Sequence, residues 1–194
     1  MSWGDTVLPI PQFDSRGLLP AFTGTDPTSG DRSPYIASMP EFVTRFGNTD
    51  HRRMLIRNLI QYRALIENGG FAHGFQMLNG SFVENVEQVE GRAPGDIDVL
   101  SLISIPQQYH ADPTLWQTSG FPFWRDEIAN QPLNKQRFSL DTYAIVYPNA
   151  GAQGLKELFY WHGLFGHQRT TFSWKGFVMI SFDSAQDQVA AGML

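Results

Sequence analysis

Residues 76–103, QMLNGSFVENVEQVEGRAPGDIDVLSLI, decide how this chain is read. Phe75 to Leu78 has the look of a buried strand end, Asn79-Gly80-Ser81 breaks it, and Asp96-Ile97-Asp98 opens a second apolar run, Val99 to Ile103. Two strand ends therefore converge on one place. Successive side chains of a strand alternate, so Asp96 and Asp98 project together while Ile97 and Val99 turn to the other face. Two carboxylates on one face repel. They are tolerated when solvated, when one takes a proton, or when a hard cation such as magnesium sits between their oxygens. The Gly80-Ser81 turn supplies the complement. Glycine lets backbone N–H groups approach an anion, the serine hydroxyl adds a donor, and a helical turn beginning at Ser81 aims its positive end outward. An ordinary helix N-cap explains Ser81 taken alone nearly as well.

Gly80-Ser81, fourteen intervening residues and then Asp96-Ile97-Asp98 resembles the signature of the DNA polymerase β-like nucleotidyltransferase superfamily. The interval is slightly long, and Glu90 to Gly95 reads as a turn that absorbs the extra residues. The resemblance implies an α/β (α+β) fold, a small mixed sheet with packed helices. It also implies two Mg2+ ions held by Asp96 and Asp98, a nucleoside triphosphate held by Gly80 and Ser81, and a third carboxylate from a neighbouring strand. The chain is similar, further, to stand-alone bacterial members found in mobile elements and anti-phage operons. That similarity implies template-independent synthesis of a short single-stranded (deoxy)oligonucleotide from dATP or ATP, an operon-encoded protein partner, and a homo-oligomeric state as an option. A toxin- or antitoxin-type enzyme modifying tRNA or protein would use the same residues. A catalytically inactive nucleotide-binding module would keep only the fold.

Arg137 to Tyr147, RFSLDTYAIVY, alternates as a strand, with Ser139, Asp141 and Tyr143 on one face and Leu140, Thr142 and Ala144 on the other. Aspartate is disfavoured in strands and costly when buried unpaired, which makes Asp141 the natural third carboxylate and a further metal ligand; a strand-end residue exposed to water is the bland alternative. Transfer from a triphosphate also needs cations beside the metals, and Arg169 and Lys175, ahead of a last strand Phe177 to Phe182, are the candidates, with a surface role as the alternative for each.

The chain has 194 residues and 42% hydrophobic content, enough for one good core. A domain over 41–194 is expected behind an extended arm, residues 1–40, whose prolines exclude long regular elements. The arm's apolar residues, among them Val7, Leu8, Ile10, Leu18 and Leu19, predict that it lies across the domain, with docking on another subunit as the alternative. No apolar run approaches a membrane span and the start lacks a signal-peptide pattern, so a cytoplasmic location is expected. There is no cysteine, which removes thiolate chemistry and leaves oxygen ligands for a metal. A net charge of −5 argues against a broad nucleic-acid surface. The Walker, Gly-x-Gly-x-x-Gly and His-Glu-x-x-His patterns are missing, which removes the common hydrolase, dinucleotide and zinc-protease readings.

Helices are expected over Glu41 to Phe46, from Thr49 or Asp50 to about Glu67, after Asp112-Pro113, and over Leu155 to Phe165. Arg45, Arg52, Arg53, Arg57 and Arg63 read as a solvated helix face, with phosphate contact as the alternative. Trp116, Phe121, Phe123 and Trp124 read as packing, with a base pocket as the alternative. His162, on a stripe with Leu155, Leu158, Phe159 and Phe165, reads as a core histidine.

Overall fold

The computed structural model describes residues 10–26, 28–148 and 151–194, so Val7 and Leu8 lie outside the described residues. The chain is mixed α/β. Its strands are β1 (Tyr35–Ile36), β2 (Gly74–Asn79), β3 (Ile97–Ile103), β4 (Leu140–Val146) and β5 (Val178–Ser181). They form one five-stranded sheet in the order β1-β5-β2-β3-β4. β1 with β5 and β3 with β4 run parallel, and β2 is antiparallel to β3 and β5.

The first helices form where the local signals put them. α1 (Met39–Phe46) starts at Ser38, whose hydroxyl caps Glu41 N–H while the Glu41 carboxylate returns to Ser38 N–H, and Pro40 fits the first turn. α2 (Asp50–Asn68) starts at Thr49, whose side chain accepts from Arg52 N–H at 3.2 Å, and stops at Gly69. Their buried stripes, Phe42 and Phe46 with Leu55, Leu59, Tyr62 and Ile66, lie against Leu78, Ile97, Val99, Leu140 and Val178 of the sheet. A one-turn 3-10 helix, Gly80–Val83, and α3 (Val86–Val89) link β2 to β3.

Between β3 and β4 run α4 (Gln107–Ala111), α5 (Pro113–Leu115) and α6 (Phe121–Phe123), joined by π-helical turns at Trp116–Gly120 and Trp124–Ile128, and then α7 (Gln131–Phe138). Asp112 caps this run through Thr114 and Leu115 N–H. Of the aromatic residues here, Trp116, Phe123 and Trp124 join the main core, and Phe71 stacks on Phe123 with centroids 5.8 Å apart, while Phe121 is exposed beside Trp116. α7 takes Arg137 and Phe138 from the expected strand, because Ser139 turns left-handed at φ 55° and ends the helix just before Leu140.

α8 (Ala152–Phe165) covers the opposite face of the sheet, over a smaller core of Met77, Leu100, Leu102, Phe165 and Phe177. Here the expected stripe is corrected. Leu158, Trp161 and Phe165 face the sheet, while His162, Leu155 and Phe159 are exposed. Apolar residues surround most of α8, so spacing alone does not select its inward line. After β5, α9 (Ser184–Gly192), capped by Asp183, packs beside α1 and α2. The arm lies on the domain: Leu18 and Leu19 are buried, and Gly176 N–H donates to Leu19 O at 2.7 Å. Its last segment supplies β1. No helix among the described residues is long and apolar enough to cross a membrane.

Candidate active site

Asn79, Asp98 and Asp141 stand in one row across three strands. Asn79 is the residue opposite Asp98 in the antiparallel β2–β3 pair, and Asp98 is opposite Asp141 in the parallel β3–β4 pair. Residues directly opposite share a face of the sheet, so the row lies on the α8 side, two residues from Leu100 and Tyr143 of the smaller core. Asn79 is buried, donates from Nδ2 to Phe165 O at 3.2 Å, and has no protein partner at Oδ1.

Gly80 follows at φ +80°, where a Cβ would stand 2.3 Å from Asp98 Oδ2. Both the backbone conformation and the close approach require glycine. The turn it begins is braced from below. Lys175 Nζ donates to Gly80 O at 3.0 Å and pairs with the Glu84 carboxylate. Arg52 donates to Phe82 O at 2.6 Å and Glu84 O at 2.7 Å, and pairs with Glu87. Lys175 is buried, and burial pulls its pKa below the usual lysine value against the opposing pull of Glu84. The expected triphosphate cation Lys175 is thus placed at the site, with its ammonium engaged in holding the Gly80–Glu84 loop. Ser81 is half-buried on that loop.

Burial, and next the charge of Asp141, pushes the Asp98 carboxyl above the usual range, with Glu84 adding to it and Lys175 and Arg169 opposing it. Arg169 is exposed on the loop after α8 and within electrostatic reach of Asp98. Gln131 Nε2 donates to Asp141 Oδ1 at 2.6 Å and orients it. The Tyr143 phenol is raised by burial, then by the Asp141 charge and hydrogen bond.

Asp96 sits apart from this pairing. It precedes β3, is half-buried, and is ion-paired with Lys135 of α7. Among the described residues no group of three or more metal-ligating side chains is assembled. The structure therefore brings Gly80, Asp98, Asp141, Lys175 and Arg169 together and leaves Asp96 on a lysine. A two-carboxylate site still fits magnesium, which is commonly held by one or two carboxylates plus substrate phosphates; here the donors are oxygen-only and the Asp141 charge raises the proton affinity of Asp98, with Lys175 and Arg169 opposing it.

The arginines of α2 divide: Arg53 and Arg57 keep to the expected outer face, half-buried and exposed, and Arg52 and Arg63 do not. Arg52 and Arg63 are buried braces, Arg53 donates to Gly47 O, and Arg57 reaches Leu194 O. Glu84, Gln131 and Arg52 escape a sequence reading because their partners lie 10 to 91 residues away. Tyr143 was recoverable from the alternation that exposes Asp141 on the same face.

A model of a family of unknown function, DUF6932, matches residues 11–181. No curated protein and no solved structure matches the chain.

Proposed function

The chain belongs to the family DUF6932, whose function is unknown, and we propose that it transfers a nucleoside monophosphate from a triphosphate to a hydroxyl, with magnesium at Asp98 and Asp141. The observation that carries this reading is the register of β2, β3 and β4: a glycine turn closed against one carboxylate, with a second carboxylate directly opposite on the same face. Magnesium, when bound, supplies positive charge to the phosphates and to the pyrophosphate that leaves. Asp98 and Asp141 supply its oxygens. Asp96 joins them if Lys135 releases it. Gly80 leaves room for phosphate oxygens, Ser81 offers a hydroxyl, and Arg169 adds an exposed guanidinium. Asp141, oriented by Gln131, accepts the proton of the attacking hydroxyl as its oxygen bonds to the α-phosphorus and the bond to pyrophosphate breaks. The carboxylates' mutual repulsion and the raised proton affinity of Asp98 support a site prepared for cations.

The acceptor belongs to the same proposal: template-independent extension of a short (deoxy)oligonucleotide, as in anti-phage defence, with a cytoplasmic location and an operon-encoded protein partner. Arg52 and Arg63 of α2 are internal braces, which leaves only Arg53 and Arg57 of that helix for a nucleic acid and favours a small acceptor. Incubation with each ribo- and deoxyribonucleoside triphosphate and Mg2+, read by mass spectrometry, should yield pyrophosphate and a ladder of products from at least one nucleotide. A single transfer only onto added tRNA or protein would favour the toxin-type reading. No product from any nucleotide or acceptor would leave a nucleotide-binding module at most.

A further inference from the structure

The loop between α8 and β5 presents two large aromatic side chains to solvent. Phe172 is 77% exposed and Trp174 66% exposed. Both are ordinarily drawn inward, since each buries a large apolar area when packed. The loop that holds them out is well built. Gln168 Oε1 accepts from Thr170 N–H at 3.0 Å, Thr171 N–H at 2.6 Å and the Thr171 hydroxyl at 2.8 Å, and Gln168 N–H donates to Ser173 O at 2.8 Å. Phe172 takes φ 55°, a backbone region that bulky side chains rarely adopt, and Trp174 stands edge-on to His167 with centroids 5.4 Å apart.

Position ties these rings to the carboxylates. Lys175, next to Trp174 in the chain, reaches inward to Gly80 O at 3.0 Å. Arg169, on the same loop, lies within electrostatic reach of Asp98 and has no carboxylate ion-pair partner among the described residues. Exposed aromatic faces with an unpaired guanidinium are the elements by which proteins hold single-stranded nucleic acid, bases stacking on rings and phosphate meeting the cation. The chain has 19 acids against 14 lysines and arginines, so a broad cationic groove is not available and stacking must supply much of any such contact.

We propose that Phe172 and Trp174 form a stacking platform for the bases of a short single-stranded acceptor oligonucleotide, with its terminal hydroxyl directed toward Asp98 and Asp141. This rests on the nucleotidyl-transfer reading above, and it deepens that reading by assigning the residues that hold the acceptor.

The test is binding of a fluorescently labelled single-stranded oligodeoxyadenylate of about ten nucleotides, within the site sizes of small single-strand binders. Fluorescence anisotropy is measured with the full chain carrying Asp98→Asn, so that no extension occurs. Phe172→Ala and Trp174→Ala, each added to that background, should weaken binding about 5- to 100-fold, the range of a lost base–aromatic stack. Trp174→Phe should retain binding, and the melting temperature should not change because both side chains are exposed. Equal binding by the alanine variants overturns the platform, as does failure of the parent to bind the oligonucleotide. If the alanine variants instead change only the sedimentation behaviour, the surface is an interface between copies and the proposal is overturned. Failure of the nucleotidyl-transfer reading shows separately, as absence of turnover by the unmodified chain with every triphosphate.

Discussion

The two faces of the sheet are built on opposite terms. On the α2 face the buried charges are matched: Arg52 meets Glu87, and Arg63 meets Asp187 at 2.7 Å while donating to Gln76 Oε1 at 3.0 Å and Ser181 O at 2.7 Å. On the α8 face the core is small and Asp98 and Asp141 oppose each other. Aromatic residues of α8 and the following loop stay in water. The α2 face stabilises the fold. The α8 face carries charge repulsion and apolar exposure that cost stability, a pattern that accompanies functional sites.

The largest break between the faces should come from Asp141→Asn. Under the proposed mechanism it lowers kcat by about a thousandfold, roughly 4 kcal/mol of barrier, because the carboxylate acts mainly in the transition state. Triphosphate binding, followed by calorimetry, should change less than kcat. Equal loss of binding and turnover would remove Asp141 from the chemical step and leave it a binding residue.

Next in size is a contrast of stabilities. Arg63→Ala leaves the Asp187 carboxylate buried and the Gln76 and Ser181 oxygens unpaired, so it should cost about 3–5 kcal/mol in denaturant unfolding. Phe159→Ala removes a larger apolar side chain that is 70% exposed, and should stay within about 0.5 kcal/mol. Similar losses for the two would erase the distinction between the faces.

The smallest effect has the opposite sign. Folding raises the proton affinity of Asp98, so between its unfolded and folded pKa the folded state binds more protons and stability falls as pH rises. The whole cost is present above the folded pKa. Asp98→Asn should therefore raise stability at pH 7 by about 1 kcal/mol, some 2–4 °C in melting temperature, and the gain should vanish in acid where the carboxyl is protonated. A destabilised Asp98→Asn at neutral pH would mean that the carboxylate is well compensated as it stands.

The sequence made the α2 face and the row of strand ends legible for a common reason: their signals are local. Ser38 and Thr49 cap, Gly69 stops, and the alternation from Leu140 to Ala144 sorts its side chains correctly between the two faces. Gly80, Asp98 and Asp141 were within reach because a glycine turn and strand aspartates have few packing explanations. What was missed depends on distant partners. Asp96 belongs with Asp98 by alternation, but Lys135 comes from a helix, α7, whose length the strand-like sequence 137–147 conceals. Arg52 and Arg63 of α2 read as surface because nothing near them in the chain announces Glu87, Phe82 O or Asp187 as partners. α8, apolar around most of its girth, gave no sign of which line faces the sheet, and so His162 was read as buried.

The most direct test of the central claim is a crystal structure with Mg2+ and a non-hydrolysable deoxynucleoside triphosphate. The account predicts a cation bound by carboxylate oxygens of both Asp98 and Asp141, with the triphosphate lying along Gly80-Ser81. A nucleotide bound elsewhere, or neither ligand present while both carboxylates keep only their protein partners, would contradict it.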